Sequence, residues 1–115
     1  MSKARRGEIW EVDFRPAVGA EIQKVRPAVV LNQADVGRLS LFIVVPVTEW
    51  KPVFGTFSWF VALRPTPANG LSKDSGADAF QVKSVSELRL LRRLGAASEA
   101  DVARIVDAVA VCIGA

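Results

Sequence analysis

Residues 39–47 read Leu39-Ser-Leu-Phe-Ile-Val-Val-Pro-Val47, an almost unbroken apolar run that is rich in β-branched side chains. β-branched and aromatic side chains favour extended backbone, and an apolar run of this length without polar alternation is typical of a strand buried inside a sheet. The run therefore predicts a central strand. Thr48 is expected just past its end, followed by a flexible loop over residues 49–52.

Further strands are predicted on both sides of this central strand. Residues 8–14 alternate polar and apolar side chains, apart from Ile9 beside Trp10, and indicate a strand with one wet face. Residues 27–31 predict a buried strand with Pro27 in its first position, where a missing N–H is least harmful. Residues 17–26 are expected to form an exposed loop, and residues 32–38 a turn or a short helical connection.

The second half of the chain predicts shorter strands and one helix. Strands are expected at residues 54–63, 77–85 and 90–94, with a turn at residues 64–70 and a break at Gly95. Ser98 and Asp101 have capping-box spacing, and Gly114 is a plausible stop. Between them, apolar residues recur at helical spacing. Five or six strands with one terminal helix indicate a mainly β domain with α, a twisted antiparallel sheet or partly open barrel spanning residues 1–115.

Composition limits the chemistry of the chain. Its 115 residues carry 15 Lys and Arg against 12 Asp and Glu, and this net charge of +3 permits a nucleic-acid partner without demanding one. There is no histidine, and the single cysteine, Cys112, is expected to be a small core residue. No zinc site or cofactor is expected, and the absence of a long apolar run favours the cytoplasm.

Two polar segments are candidates for a functional site. Glu21, Lys24 and Arg26 lie within six residues on the predicted loop, where an Arg grips a phosphate bidentately and a Lys acts as a point charge. Thr48 would be held at the end of the central strand. Taken singly, the cluster of Glu21, Lys24 and Arg26 is more typical of a solvated surface and Thr48 of a strand-end turn. Gln81, taken singly, is more typical of an exposed strand position.

An ordered set of motifs resembles the MazF/PemK toxins. Arg6-Gly-Glu-Ile-Trp10 resembles the family's R-G-[ED]-[IV]-W, and Lys24-Val-Arg-Pro-Ala-Val-Val30 its [KT]-R-P-[AV]-V-[VI] strand. Val44-Val-Pro-Val-Thr48 resembles V-x-P-[LIV]-T, and Gly70-Leu-Ser-Lys-Asp-Ser75 resembles G-L-x-K-D-S. Each motif is short, but the set runs in order from residue 6 to residue 114.

The resemblance implies a fold and an activity. The expected fold is a small SH3-like β-barrel of five to seven strands with a C-terminal helix, paired as a homodimer. The expected activity is metal-independent, sequence-specific cleavage of single-stranded RNA by 2′-hydroxyl attack, held in check by a MazE-like antitoxin with an acidic disordered tail. By position, Arg26 and Thr48 match the catalytic pair, and Glu21, Lys24 and Gln81 match substrate-binding residues. Glu21 is also a candidate to accept the 2′-hydroxyl proton.

Three positions depart from the family pattern and bear on the sequence that is cut. Ala20 replaces a frequent Ser, Phe80 a frequent Asp, and Lys83 a frequent Arg. Two other functions stay open from the sequence: a non-catalytic gyrase poison of the CcdB type, which shares the barrel, and an RNA-binding barrel that does not cut. Apolar residues around residues 50–57 are expected to form the surface that docks the antitoxin.

Overall fold

The computed structural model describes residues 3–33 and 40–115, and within these ranges it contains seven strands, three 3-10 helices and one α-helix. The strands are β1 (Glu8–Asp13), β2 (Val25–Val30), β3 (Leu41–Glu49), β4 (Phe60–Leu63), β5 (Ser75–Asp78), β6 (Lys83–Ser86) and β7 (Leu90–Ala96). The 3-10 helices are Pro52–Thr56, Ala79–Gln81 and Glu87–Arg89, and the α-helix is α1 (Glu99–Ile113). Most of the connection expected at residues 32–38, and Leu39, lie outside the described residues.

The strands form one antiparallel sheet in the order β4-β5-β3-β2-β1-β7, with β6 paired to β3 off this path. The prediction of a mainly β fold with a C-terminal helix is confirmed, and along this path the sheet is open. β3 is central as predicted, since it pairs with β2, β5 and β6.

Both faces of the central strands are buried, which explains their continuous apolar runs. One core contains Ile9, Val29 and Val45 and is covered by α1; the other contains Val12, Val30 and Val44. Ile9 breaks the alternation of polar and apolar residues in β1. A register shift in the β1–β7 pairing lies between Ile9 and Trp10 and accounts for this break. Beyond this shift the predicted alternation holds, because Val12 is buried while Glu11 and Asp13 keep part of their side chains exposed to solvent.

Two strands extend further than the sequence predicted. β2 begins at Val25, so Arg26 lies in a strand and not in the preceding loop. The ladder extends this far because Arg26 pairs with Val12 and the Phe14 N–H donates to the Lys24 carbonyl at 3.2 Å. Thr48 likewise lies inside β3, because β5 supplies it with a partner, Gly76.

The strand predicted at residues 54–63 is confined to β4, and the expected loop at residues 49–52 leads into a 3-10 helix that begins at Pro52. The Phe54 ring stacks on Phe60, with 4.0 Å between ring centroids, so the aromatic segment folds back on β4 instead of extending it.

The strand predicted at residues 77–85 is interrupted by the 3-10 helix Ala79–Gln81. Val47 pairs with Ala77 and Val44 pairs with Lys83, so six residues span a distance that β3 covers in three. The surplus residues leave the ladder as this short helix. Gln81 is thus in a turn and not on the exposed face of a strand.

The C-terminal helix has the predicted ends. The Ser98 hydroxyl accepts from the Asp101 N–H at 3.1 Å, and Gly114 ends the helix with a left-handed φ of 72°. Val102 and Ile105 point into the core that contains Ile9. Within the described ranges, no helix is long and apolar enough to cross a membrane.

Candidate active site

The structure brings together Arg26 and Thr48, which lie 22 residues apart in the sequence. Ala28 pairs with Pro46 in the β2–β3 ladder, and continuing this antiparallel register by two residues brings Arg26 opposite Thr48. The Arg26 Nη1 donates to the Thr48 Oγ1 at 3.1 Å. The pair is held by two neighbouring strands of the sheet, so its geometry does not depend on a loop.

Both side chains keep unused hydrogen-bonding capacity. Arg26 is half-buried, and its Nε has no hydrogen-bond partner among the described residues although the atom is buried. An unpaired buried donor is costly unless a partner such as a ligand or ordered water satisfies it. The Thr48 hydroxyl accepts from Arg26, so its own proton remains available to a ligand. The arrangement suits an oxyanion that accepts from both residues.

Arg26 and Thr48 line a cleft of about 630 Å³ that is rich in basic side chains. Its lining carries five basic residues and two acidic ones, namely Lys24, Arg26, Lys51, Lys73, Arg92, Glu11 and Glu49. Two exposed ion pairs partly neutralise it: Lys73 with Glu49 at 3.4 Å, and Arg92 with Glu11 at 3.6 Å. The surplus of three positive charges favours a polyanion.

Sequence reasoning missed most of this lining, because the residues come from separate segments. Lys51 precedes a 3-10 helix, Arg92 lies on β7, and Glu11 lies on β1. The one usable signal was the Gly70–Ser75 motif, which contains Lys73.

Glu21 and Gln81 lie in a second cavity of about 390 Å³ and not in the cleft with Arg26. Gln81 fastens the loop before β2: its Oε1 accepts from the Ile22 N–H at 2.8 Å, and its Nε2 donates to the Ala20 carbonyl at 3.4 Å. The Glu21 Oε1 accepts from the Val18 N–H at 2.7 Å, and its Oε2 lies 3.8 Å from the Lys83 Nζ. The five predicted site residues thus divide between two cavities, with Lys24 beside Arg26.

A buried carboxylate, Asp78, precedes the helix that presents Gln81. Burial raises the pKa of Asp78, and hydrogen bonding from Phe80 and Gln81 partly offsets the rise. Burial, followed by the charge of Asp78, also raises the pKa of the Cys112 thiol, which favours its protonated form. Cys112 packs against the core, as predicted. Among the described residues, no group of three or more His, Cys, Asp or Glu side chains is placed to hold a metal ion.

Comparison with known proteins identifies relatives along nearly the whole chain. The profile of the PemK-like, MazF-like toxins of type II toxin–antitoxin systems matches residues 5–113. Endoribonuclease MazF9 of Mycobacterium tuberculosis is 40% identical over 109 residues, which cover 91% of this chain and 92% of the relative.

Solved structures match the fold. The crystal structure of MazF from Deinococcus radiodurans superposes with a TM-score of 0.79 at 24% identity, covering 97% of each chain. A MazE–MazF complex from the same organism superposes with a TM-score of 0.72 at 25% identity, covering 96% of each chain.

Proposed function

The chain belongs to the PemK-like, MazF-like toxin family of type II toxin–antitoxin systems and is an endoribonuclease toxin, and from this premise we propose that it cuts single-stranded RNA in the cleft of Arg26 and Thr48. The observation that carries the proposal is the 3.1 Å hydrogen bond between these residues in a cleft with a surplus of basic side chains. Donors held in place before the reaction are the usual means of stabilising developing negative charge.

In this mechanism the ribose 2′-oxygen attacks the neighbouring phosphorus, and the bond from phosphorus to the 5′-oxygen breaks. The products are a 2′,3′-cyclic phosphate and a 5′-hydroxyl. The Arg26 guanidinium donates to the non-bridging oxygens as their charge grows, and the Thr48 hydroxyl donates its free proton to the same group. The 2′-hydroxyl proton passes to a base, and the departing 5′-oxygen takes up a proton.

The positions of the carboxylates favour different proton acceptors from the one proposed on sequence. Glu11 and Glu49 line the cleft with Arg26, whereas Glu21 lines the neighbouring cavity. We therefore assign the 2′-hydroxyl proton to Glu11 or Glu49. Lys24, in the cleft, binds a substrate phosphate, and Glu21 and Gln81 act on a flanking nucleotide or on the loop that Gln81 fastens.

The test is cleavage of long single-stranded RNA in excess EDTA, with mapped ends and a DNA copy in parallel. Discrete cuts with 5′-hydroxyl ends in RNA alone are expected, since DNA lacks the attacking 2′-hydroxyl. Arg26→Ala and Thr48→Val should each lower the cleavage rate about 100- to 1,000-fold, as removal of an oxyanion donor does elsewhere. Arg64→Ala, an exposed arginine outside the cleft, is the control. Unchanged cleavage by the Arg26 or Thr48 variant would reject the assignment.

A cognate antitoxin of the MazE type is the proposed protein partner, with an acidic disordered tail that covers the basic cleft and competes with RNA. Solved relatives include a MazE–MazF complex and a mycobacterial endoribonuclease bound to its cognate antitoxin. The gyrase-poison alternative is not favoured, because the relatives described here are named MazF or endoribonuclease. We also propose that the protein is a homodimer and that it acts in the cytoplasm. Sedimentation velocity tests the dimer, and cell fractionation tests the location.

The surface expected to dock the antitoxin at residues 50–57 is only partly exposed. Trp50, Phe54 and Phe57 are half-buried, while Val53 has 52% of its surface exposed. Val53→Asp should therefore weaken antitoxin binding in calorimetry while RNA cleavage by the free toxin stays unchanged. Unaltered antitoxin affinity would place docking elsewhere.

A further inference from the structure

Phe80 is an aromatic side chain held outside the core. It lies in the middle of the 3-10 helix Ala79–Gln81, and 66% of its surface is exposed. Its ring contacts Trp59 edge-on, with 5.9 Å between centroids at 62°. Trp59 itself packs against the core that contains α1. The Phe80 ring is thus supported from one side and open to solvent on another.

The cavity that Phe80 borders has the character of a nucleobase site. Its accessible apolar wall includes the half-buried side chains Ile22 and Val82, and its volume of about 390 Å³ falls in the range of small-molecule pockets. Polar groups stand beside this apolar surface: the Glu21 Oε2 and the Lys83 Nζ lie 3.8 Å apart. A carboxylate accepts hydrogen bonds and an ammonium donates them, so the two together match a base edge that carries both donors and acceptors.

The cavity adjoins the Arg26 cleft along two segments of chain. Pro46 lines the cavity while Val47 and Thr48, next along β3, line the cleft. Ile22 lines the cavity while Lys24, two residues further on, lines the cleft. An RNA strand with one phosphate at Arg26 therefore has this cavity within reach of a neighbouring nucleotide. The surplus positive charge of the cleft favours a nucleic acid over an apolar peptide.

We propose that Phe80 stacks on an unpaired nucleobase next to the cut phosphate, while Glu21 and Lys83 contact the edge of that base. This makes Phe80 a substrate-binding residue for the reaction, and the inference rests on the proposed ribonuclease function. An aromatic face accepts any base, so the stack supplies affinity, and the Glu21–Lys83 pair supplies discrimination.

The test begins with kcat/KM on a short RNA that contains one mapped cut site. Phe80→Ala should lower kcat/KM about 5- to 150-fold, the usual effect of losing one base–aromatic stack, and Phe80→Trp should restore it. Val111→Ala is the control, since Val111 is similarly exposed, at 60%, but lines neither cavity. The fold is expected to survive each change because the side chains are exposed.

Abasic substrates locate the stacked base. At one position beside the cut, an abasic ribose should lower wild-type kcat/KM at least to the level of Phe80→Ala on normal RNA, and on that abasic substrate the wild type and Phe80→Ala should cut equally well. Additive losses at every position would overturn the proposal. So would a Phe80→Ala variant that cuts as the wild type does, or that weakens antitoxin binding alone.

A binding measurement separates this proposal from the cleavage proposal. RNA with a 2′-deoxyribose at the cut site cannot react, and 2-aminopurine at the stacked position should lose fluorescence with wild-type protein but not with Phe80→Ala. Loss of fluorescence with no cutting of normal RNA would sustain the stack and reject the nuclease mechanism. Cutting without loss of fluorescence would sustain the nuclease and reject the stack.

Discussion

Arg26 and Thr48 are expected to act as one unit. The 3.1 Å hydrogen bond fixes the Arg26 guanidinium against β3, so replacing either residue disturbs the other. The double variant Arg26→Ala/Thr48→Val should lose much less activity than the product of the two single losses, with a coupling of about 0.5–3 kcal/mol. Single-turnover cleavage rates of the four proteins measure this. Multiplicative losses would show that the residues act independently.

Asp78 gives a prediction for the pH dependence of stability. Burial raises its pKa above the ordinary value of 3.8, so the folded chain binds this proton more readily than the unfolded chain does. The resulting stabilisation is present below the ordinary pKa and is lost as the pH rises through the raised one. The free energy of unfolding of the wild type, relative to Asp78→Asn, should therefore fall as the pH rises from below 3.8 through the raised pKa.

Urea titrations of both proteins across that range supply the comparison. Asp107→Asn, which changes an exposed carboxylate on α1, is the control for simple loss of charge. A difference between wild type and Asp78→Asn that rises with pH would contradict the assigned effect of burial.

At the scale of elements, β7 positions one wall of the active-site cleft through Gly95. A Cβ on Gly95 would lie 2.3 Å from the Ala68 carbonyl oxygen and 2.8 Å from that of Asn69. The loop cannot retreat easily, because the buried Asn69 side chain accepts from the N–H groups of Thr66 and Leu71, both at 3.0 Å. The chain that continues from this loop lines the cleft.

Gly95→Ala should therefore lower stability by at least about 1–3 kcal/mol and reduce cleavage as well, since overpacking against backbone forces the chain to shift. Thermal unfolding and kcat/KM measure the two effects. Gly55→Ala is the control, because its Cβ would meet only Trp50, at an ordinary 3.8 Å. Equal melting temperatures for the two variants would show that the loop yields.

The elements that the sequence predicted well are those with local causes. Ser98 and Gly114 end α1 through bonds to residues close in the chain, and the apolar runs of β2 and β3 follow from burial on both faces. The misplaced elements depend on distant partners. The helix at Ala79–Gln81 exists because β5 and β6 both pair with β3. Gly95, which was predicted to end the last strand, lies within β7 because it pairs with Ile9.

The candidate site shows the same division. Arg26 and Thr48 were proposed from motifs, and their contact follows from the β2–β3 register. The separation of Glu21 and Gln81 into a second cavity was not foreseeable, because it depends on how Gln81 binds the loop backbone at Ala20 and Ile22. Periodicity carries no information on such contacts.

At the scale of the whole molecule, basic residues outnumber acidic ones, and this positive charge is concentrated in the Arg26 cleft. The chain has a net charge of +3, and the lining of the Arg26 cleft alone carries five basic and two acidic residues. This distribution predicts salt-sensitive cleavage, because bound RNA releases counterions for each phosphate that is neutralised. The logarithm of kcat/KM should fall linearly with the logarithm of salt concentration, at about 0.7 per phosphate contact on a single strand.

The contribution of each basic residue to this slope should depend on its partner. Lys24→Gln and Lys51→Gln should each reduce the slope by about 0.7, whereas Lys73→Gln should reduce it less, since Lys73 is already paired with Glu49 at 3.4 Å. Arg5→Gln, an exposed change that lines neither cavity, should leave the slope unaltered. A uniform effect of all four substitutions would mean that net charge, and not the cleft, attracts the RNA. A larger reduction by the Lys24 and Lys51 variants than by the Lys73 variant would trace the path of the phosphates past Arg26.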